Sequence, residues 1–274
     1  MRALLSSPLG FLIGVSLGAL GGGGSILAVP ALVYAAGQSP KHATTTSLLL
    51  VAITALIGIV PHLRAKRVRV VAGTVFGLAG VGGSLLGSHW NKAADPNVLL
   101  LAFSGLMLIA AYAMWRRMRR PTPAPRVARS VGAAAAPIPA AAPLTRVRID
   151  PLTAVKVIVA GTLVGLLTGF FGVGGGFVIV PALVLALGFS MPEAVGTSLL
   201  VITINSAVAM ATRLHGGAIE WGTVVPFTVA SLIGVVVGSR LASTRDSTSL
   251  QRWFVGLLVL VAIYTAGRSG LALR

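Results

Sequence analysis

Gly21-Gly22-Gly23-Gly24-Ser25 lies inside one long apolar run, and Gly172-Val173-Gly174-Gly175-Gly176 lies inside another, 151 residues further on. Glycine is a poor helix former, worse than alanine by about 1 kcal/mol per position. Four together should break a helix. Broken backbone at membrane depth persists only where protein or a water-filled cavity satisfies its polar groups. A half-helix starting after the break turns free N–H groups and its positive dipole end toward the gap, which suits an anion. The other reading of such glycines is close helix packing. Gly10, Gly14 and Gly18, like Gly161, Gly165 and Gly169, recur every fourth residue and form a small-residue face of that kind.

Outward from the clusters, the apolar runs are approximately 8–36, 43–61, 70–90, 97–115, 152–187, 194–212, 221–241 and 252–267. Each is long enough, or nearly so, to cross about 30 Å of hydrocarbon as a helix. The first and fifth are too long for one plain span, and these two hold the glycine clusters. The chain is 55% hydrophobic and 10% charged, with mean hydropathy +0.93. A soluble domain carries about a quarter charged residues, so a bilayer must be the solvent for most of this surface. The expected fold is an all-α polytopic membrane protein of about eight transmembrane helices, with spans 1 and 5 broken at the glycines.

The chain repeats itself without a gap at an offset of 151. Val29-Pro30-Ala31-Leu32-Val33 meets Val180-Pro181-Ala182-Leu183-Val184, and Thr46-Ser47-Leu48-Leu49 meets Thr197-Ser198-Leu199-Leu200. Over 10–90 there are 27 identities in 81 positions, against roughly a tenth expected by chance. Two homologous four-span repeats follow, 1–115 and 151–274. Between them, 116–150 opens Arg116-Arg117-Met118-Arg119-Arg120 and turns Pro- and Ala-rich, as a linker does.

The net charge is +17, from 22 Lys/Arg against 5 Asp/Glu. These basic residues sit in the gaps between apolar runs, so they orient the chain and do not mark a nucleic-acid partner. Eight full crossings put both termini and the linker in the cytoplasm, with 17 Lys/Arg inside and 5 outside. If spans 1 and 5 dip in and return, each half has an odd number of crossings. The repeats are then inverted, the termini lie outside, and the count is 16 to 6. Charge barely separates the two arrangements. Eight crossings are preferred because they keep the N-terminus and the linker together inside.

Several polar residues invite a functional reading. Thr46, Ser47, Thr197 and Ser198 begin one turn into spans 2 and 6, where hydroxyls can line a polar route or simply bond the preceding turn. Asn205 is the only strongly polar side chain well inside an apolar run, a ligand or a helix–helix hydrogen bond. His62-Leu63-Arg64 and Arg213-Leu214-His215 present the same residue types in swapped order at two span ends. Arg64, Arg213 and His215 can attract or gate an anion, although fixing topology is the ordinary role of such charges. Ser190-Met191-Pro192-Glu193 reads as a helix start with a capping box.

The absences narrow the function. There is no Cys, no His/carboxylate cluster for a metal, no zinc-protease helix and no phosphate-binding lysine loop. Gly82-Gly83-Ser84 has no histidine evidently placed to make it a hydrolase. No enzyme activity and no cofactor are expected. No acid sits deep in a span, so no proton relay is evident. Export of an anion needs none: at about 100 mV, inside negative, each departing negative charge gains about 2.3 kcal/mol.

With these motifs in view, the chain resembles the sulfite exporter TauE/SafE family of bacterial membrane proteins. The resemblance rests on the glycine segments ending in Pro30-Ala31-Leu32 and Pro181-Ala182-Leu183. It also rests on the turns Ala43–Thr46-Ser47-Leu48 and Ala194–Gly196-Thr197-Ser198-Leu199. It covers roughly 8–115 and 152–267. The first copy departs from the second at Ser25 (Gly176) and Thr45 (Gly196). The resemblance implies anion export as a class, and the expected function is export of sulfite or organosulfonate-type anions across the cell membrane. The binding site is expected between the repeats, walled by Gly21, Gly22, Gly23, Gly24, Ser25, Gly172, Gly174, Gly175 and Gly176, with Thr46, Ser47, Thr197, Ser198 and Asn205. The expected partners are a small anionic substrate and the lipid bilayer. An anion channel or a non-transporting scaffold is the alternative.

Overall fold

The computed structural model describes residues 2–34, 37–38, 40–91, 96–119, 151–171, 176–211 and 221–272. Its elements are α1 (Arg2–Leu20), a 3-10 turn (Gly21–Gly24), α2 (Ser25–Tyr34), α3 (Pro40–Arg64), α4 (Val70–Asn91) and α5 (Pro96–Arg119). They continue with α6 (Pro151–Phe171), α7 (Gly176–Leu185), α8 (Met191–Ala211), α9 (Trp221–Ser243) and α10 (Ser247–Ala272). No strand occurs among the described residues, and seven helical segments are long and apolar enough to cross a membrane. Leu78, Leu85, Leu86, Leu260 and Ile263 are exposed on the outer faces, where hydrocarbon must cover them. Helix α5 extends through Arg119, into the segment read as linker, and the Arg119 guanidinium lies 3.8 Å over the Trp115 ring. Cations suit the negative end of a helix.

The first glycine cluster breaks its span as expected. The chain does not continue across; it turns back. A Cβ placed on Gly24 would lie 2.7 Å from the Ile13 carbonyl oxygen and 2.6 Å from the Leu17 amide nitrogen. In a straight helix, residues 13 and 24 are about 16 Å apart. Gly21 has φ +67°, a left-handed conformation that costs glycine little and other residues more. The 3-10 turn that it opens reverses the chain within four residues.

The second half behaves in the same way. Helices α4 and α6 run parallel, because Gly161, Gly165 and Gly169 lie on Phe76, Gly80 and Ser84. Helices α4 and α8 also run parallel, because Gly73 packs on Leu200 and Gly77 on Ile204. Helices α6 and α8 therefore point the same way, and α7 between them must return.

The repeat partners α3 and α8 run antiparallel: Gly58 meets Leu199, whereas Gly196 meets His62. The halves are therefore inverted, and the preferred eight-crossing path is corrected to the hairpin path. Counting length and apolar character alone makes Pro8–Ala28 a single span. Neither hydropathy nor charge registers a reversal made within a four-residue turn.

The halves also exchange partners. Helix α1 packs on α9, with Gly10, Gly14 and Gly18 against Phe227, Ser231 and Val235. Each of these contacts is the α6–α4 contact displaced by 151 residues. At Gly14, Gly18, Gly165 and Gly169 a Cβ would strike the partner backbone. Such faces let membrane helices approach closely, and dispersion then holds them together. The four-spaced glycines thus have the packing role read from their spacing.

Candidate functional site

The Gly21–Gly24 turn lies against the start of α7 and the first turns of α8. A Cβ on Gly22 would coincide with the Gly176 carbonyl group. A Cβ on Gly176 would meet Ser25 Oγ and would lie 3.1 Å from Ile202 Cδ1. A Cβ on Gly21 would meet Ser198 Oγ and would lie 3.2 Å from Val195 Cα. Val195, Ser198 and Ile202 are spaced i, i+3, i+7, so one face of α8 looks onto the turn. Phe254 of α10 closes the far side, 3.3 Å from a Cβ on Gly23. The residues drawn together from both halves are thus Gly21, Gly22, Gly23, Ser25, Gly176 and Ser198. Gly24 packs back on α1 and stands away from this centre. Gly172, Gly174 and Gly175 lie outside the described residues.

Two half-helices begin here, α2 at Ser25 and α7 at Gly176. The first N–H groups of a helix have no partner within it, and they carry the positive end of its dipole; at α2 the Ser25 N–H is already taken up by the Gly22 carbonyl of the preceding turn. The hydroxyls are present but engaged. Ser25 Oγ donates to the Gly22 carbonyl at 2.7 Å, and Ser198 Oγ donates to the Val195 carbonyl at 2.8 Å. This is the back-bonding that Ser and Thr favour in membrane helices. To donate to an anion, either hydroxyl must rotate away from its carbonyl.

The remaining expected residues divide. Thr197 is buried, but its Oγ1 accepts the Arg69 amide N–H at 3.1 Å, so it faces the α3–α4 turn. Thr46 and Ser47 are buried in α3. Asn205 faces α4, with its amide 3.7 Å from a Cβ on Gly80, and its buried Oδ1 has no hydrogen-bond partner. Arg64 is exposed at the end of α3. Arg213 and His215 lie outside the described residues. Glu193 makes the expected capping contact, its Oε2 accepting from Ser190 N at 3.1 Å and Ser190 Oγ at 2.9 Å. Its second bond spans 124 residues of chain and leaves no local pattern. Glu193 Oε1 pairs with Arg69 at 2.7 Å, tying one half to the other.

By its place in the sequence His62 is a span-end charge that helps fix topology. It is instead buried, 3% exposed, between α3, α8 and the end of α1. Two cavities are lined by other described residues. One of about 470 Å³ opens between α1, α9 and α10 and reaches Leu20 and Leu257 beside the first turn. The other, about 710 Å³, lies between α5 and residues 185–188. No group of three or more potential metal-ligating side chains is found among the described residues.

Inverted halves, each opening with a membrane hairpin whose half-helix starts at the shared centre, define a class: a helical membrane transporter of the inverted-repeat kind. The Sulfite exporter TauE/SafE family model matches residues 7–265. The chain belongs to the TauE/SafE family. It is 34% identical over 264 residues to a probable membrane transporter protein of Xylella fastidiosa (strain 9a5c), covering 95% of this chain and 93% of that one. It is 25% identical over 276 residues to the probable membrane transporter protein YunE of Bacillus subtilis (strain 168), covering 96% and 95%. No solved structure matches the chain.

Proposed function

We propose that the protein exports small anions of the sulfite or organosulfonate type across the cell membrane, by alternating access between its two halves. The observation that carries this reading is the meeting of the Gly21–Gly24 turn with Gly176. It brings the N-termini of α2 and α7 together between the halves, with Ser25 and Ser198 beside them. Backbone N–H groups and two positive dipole ends attract an anion without burying a cationic side chain. Rocking one half against the other exposes such a centre to each side in turn. The α3–α4 turn carries Arg64, Lys66, Arg67 and Arg69. We place it on the cytoplasmic side with the linker, where basic residues collect. On this reading the protein is not an enzyme.

The test is flux from liposomes holding purified protein and radiolabelled sulfite, with a potential imposed by potassium and valinomycin. Saturable efflux that competing sulfonates slow is expected. Flux linear in sulfite up to high concentration would indicate a channel, and no flux for any small anion would refute transport.

A further inference from the structure

Among the described residues, His62 is the only fully buried side chain that can gain or lose a proton near neutral pH. Buried polar groups are as a rule hydrogen-bonded. Neither His62 ring nitrogen is, although the backbone of Gly18 is beside the ring without hydrogen-bond geometry. The imidazole lies where the halves meet. A Cβ on Gly196 would be 3.0 Å from His62 Cβ and 3.3 Å from its ring. Gly18 is three residues before Gly21, and Gly196 two before Ser198, so His62 stands within about one helical turn of the glycine centre.

The charges around it are few. On its own helix Arg64 is exposed, and in the following turn Arg67 donates its amide N–H to the His62 carbonyl at 2.9 Å while its positive charge opposes a second one on the ring. On α8 the near charge is Glu193, already paired with Arg69. Gly18 on α1 brings no charge.

We infer that His62 is a proton-binding site, and that its proton travels with the anion. The inference rests on the transport reading above. A proton on Nδ1 or Nε2 gives a cation beside the glycine centre, and a bound monoanion offsets it. The loaded pair moves with less net charge than the anion alone, which lowers the cost of passing through a dry interior. In the neutral imidazole one ring nitrogen already carries a hydrogen, so the other, which has no hydrogen-bond partner, receives the proton and, at the end of the cycle, returns it to water. The bond made and broken is N–H, and water is the donor and acceptor. Coupling of this kind lets a proton gradient drive the anion in either direction, which an uncoupled carrier cannot do.

The test compares wild type with His62→Gln in sulfite-loaded liposomes under an imposed pH gradient. Sulfite's own ionisation is the same in both, so a difference isolates the histidine. One coupled proton makes the steady-state sulfite ratio change about tenfold further per pH unit in the wild type. H62Q should lose that increment. Equal ratios in both proteins overturn the inference. So does wild-type sulfite movement with no accompanying proton movement, read from an entrapped pH dye and needing no variant.

A second measurement uses no anion. Detergent-purified wild type, acidified only over the range in which near-UV circular dichroism shows both proteins still folded, should bind one proton more than H62Q, and equal counts in that range overturn the proton site. If neither protein moves sulfite, the transport reading fails and this titration alone decides the histidine.

Discussion

Gly22 in the first turn lies so close to Gly176 at the start of α7 that a methyl group on Gly22 would overlap the Gly176 carbonyl, and one on Gly176 would meet Ser25 Oγ and lie 3.1 Å from the Gly22 oxygen. One comes from each half of the chain, and their contact holds the two half-helix N-termini together. A feature of this kind demands glycine for space, whereas Gly21 demands it for its φ of +67°.

Gly22→Ala should therefore force the two breaks apart. Overpacking of this sort costs about 1–3 kcal/mol. Lower thermal stability in detergent and loss of sulfite flux are expected together. Gly105→Ala is the control, since a Cβ there meets nothing within 4 Å. Full flux in Gly22→Ala would separate the glycine contact from transport.

Gly14 and Gly165 hold equivalent places in the two exchanged helix pairs. Substituting Val at either should destabilise to a similar extent, by roughly 1–3 kcal/mol or more, because both meet partner backbone that cannot step aside. Gly256→Val, at a position with open space, should change little. Melting of the detergent-purified variants checks this, and markedly unequal losses would contradict the exchanged symmetry.

The Arg69–Glu193 pair joins the halves but is partly exposed, at 55% and 27%. Its worth should be no more than about 1 kcal/mol. A double-mutant cycle with Arg69→Ala and Glu193→Ala should give a coupling in that range that shrinks with added salt. Glu193→Ala alone also removes the bonds to Ser190, so it should cost more than Arg69→Ala.

The hairpin path has a direct chemical test, because the chain has no cysteine. Ala65→Cys in the α3–α4 turn and Thr244→Cys in the α9–α10 turn should be labelled from the same side of the membrane by an impermeant thiol reagent. Eight full crossings would put them on opposite sides. Opposite labelling would therefore restore that arrangement.

The resemblance of 10–90 to 161–241 was open to inspection because both copies kept the residues that bear on backbone geometry. Gly14 and Gly165 match in sequence, and they also match in what they touch. Gly21 could be read as a break from its neighbours alone. The direction taken after the break could not, since hydropathy is the same for a segment that crosses and for one that dips and returns. His62 shows a similar limit. By sequence it lies two residues before Arg64 at a span end, the usual place for a solvated charge. It is buried because the inverted α8 brings Gly196 against it, and no local pattern in α3 records where α8 will lie.

The sequence by itself determined that this chain lives in a bilayer, that it repeats, and that two glycine clusters interrupt the repeat at matched positions. Composition and local backbone propensity suffice for all three. Only the tertiary structure decided that the clusters reverse the chain, that the halves are inverted, and that Gly22 meets Gly176 while Thr197 turns away to Arg69. Those relations depend on which surfaces of distant helices fit together, and steric fit is a property of pairs of surfaces that neither strand of sequence carries alone.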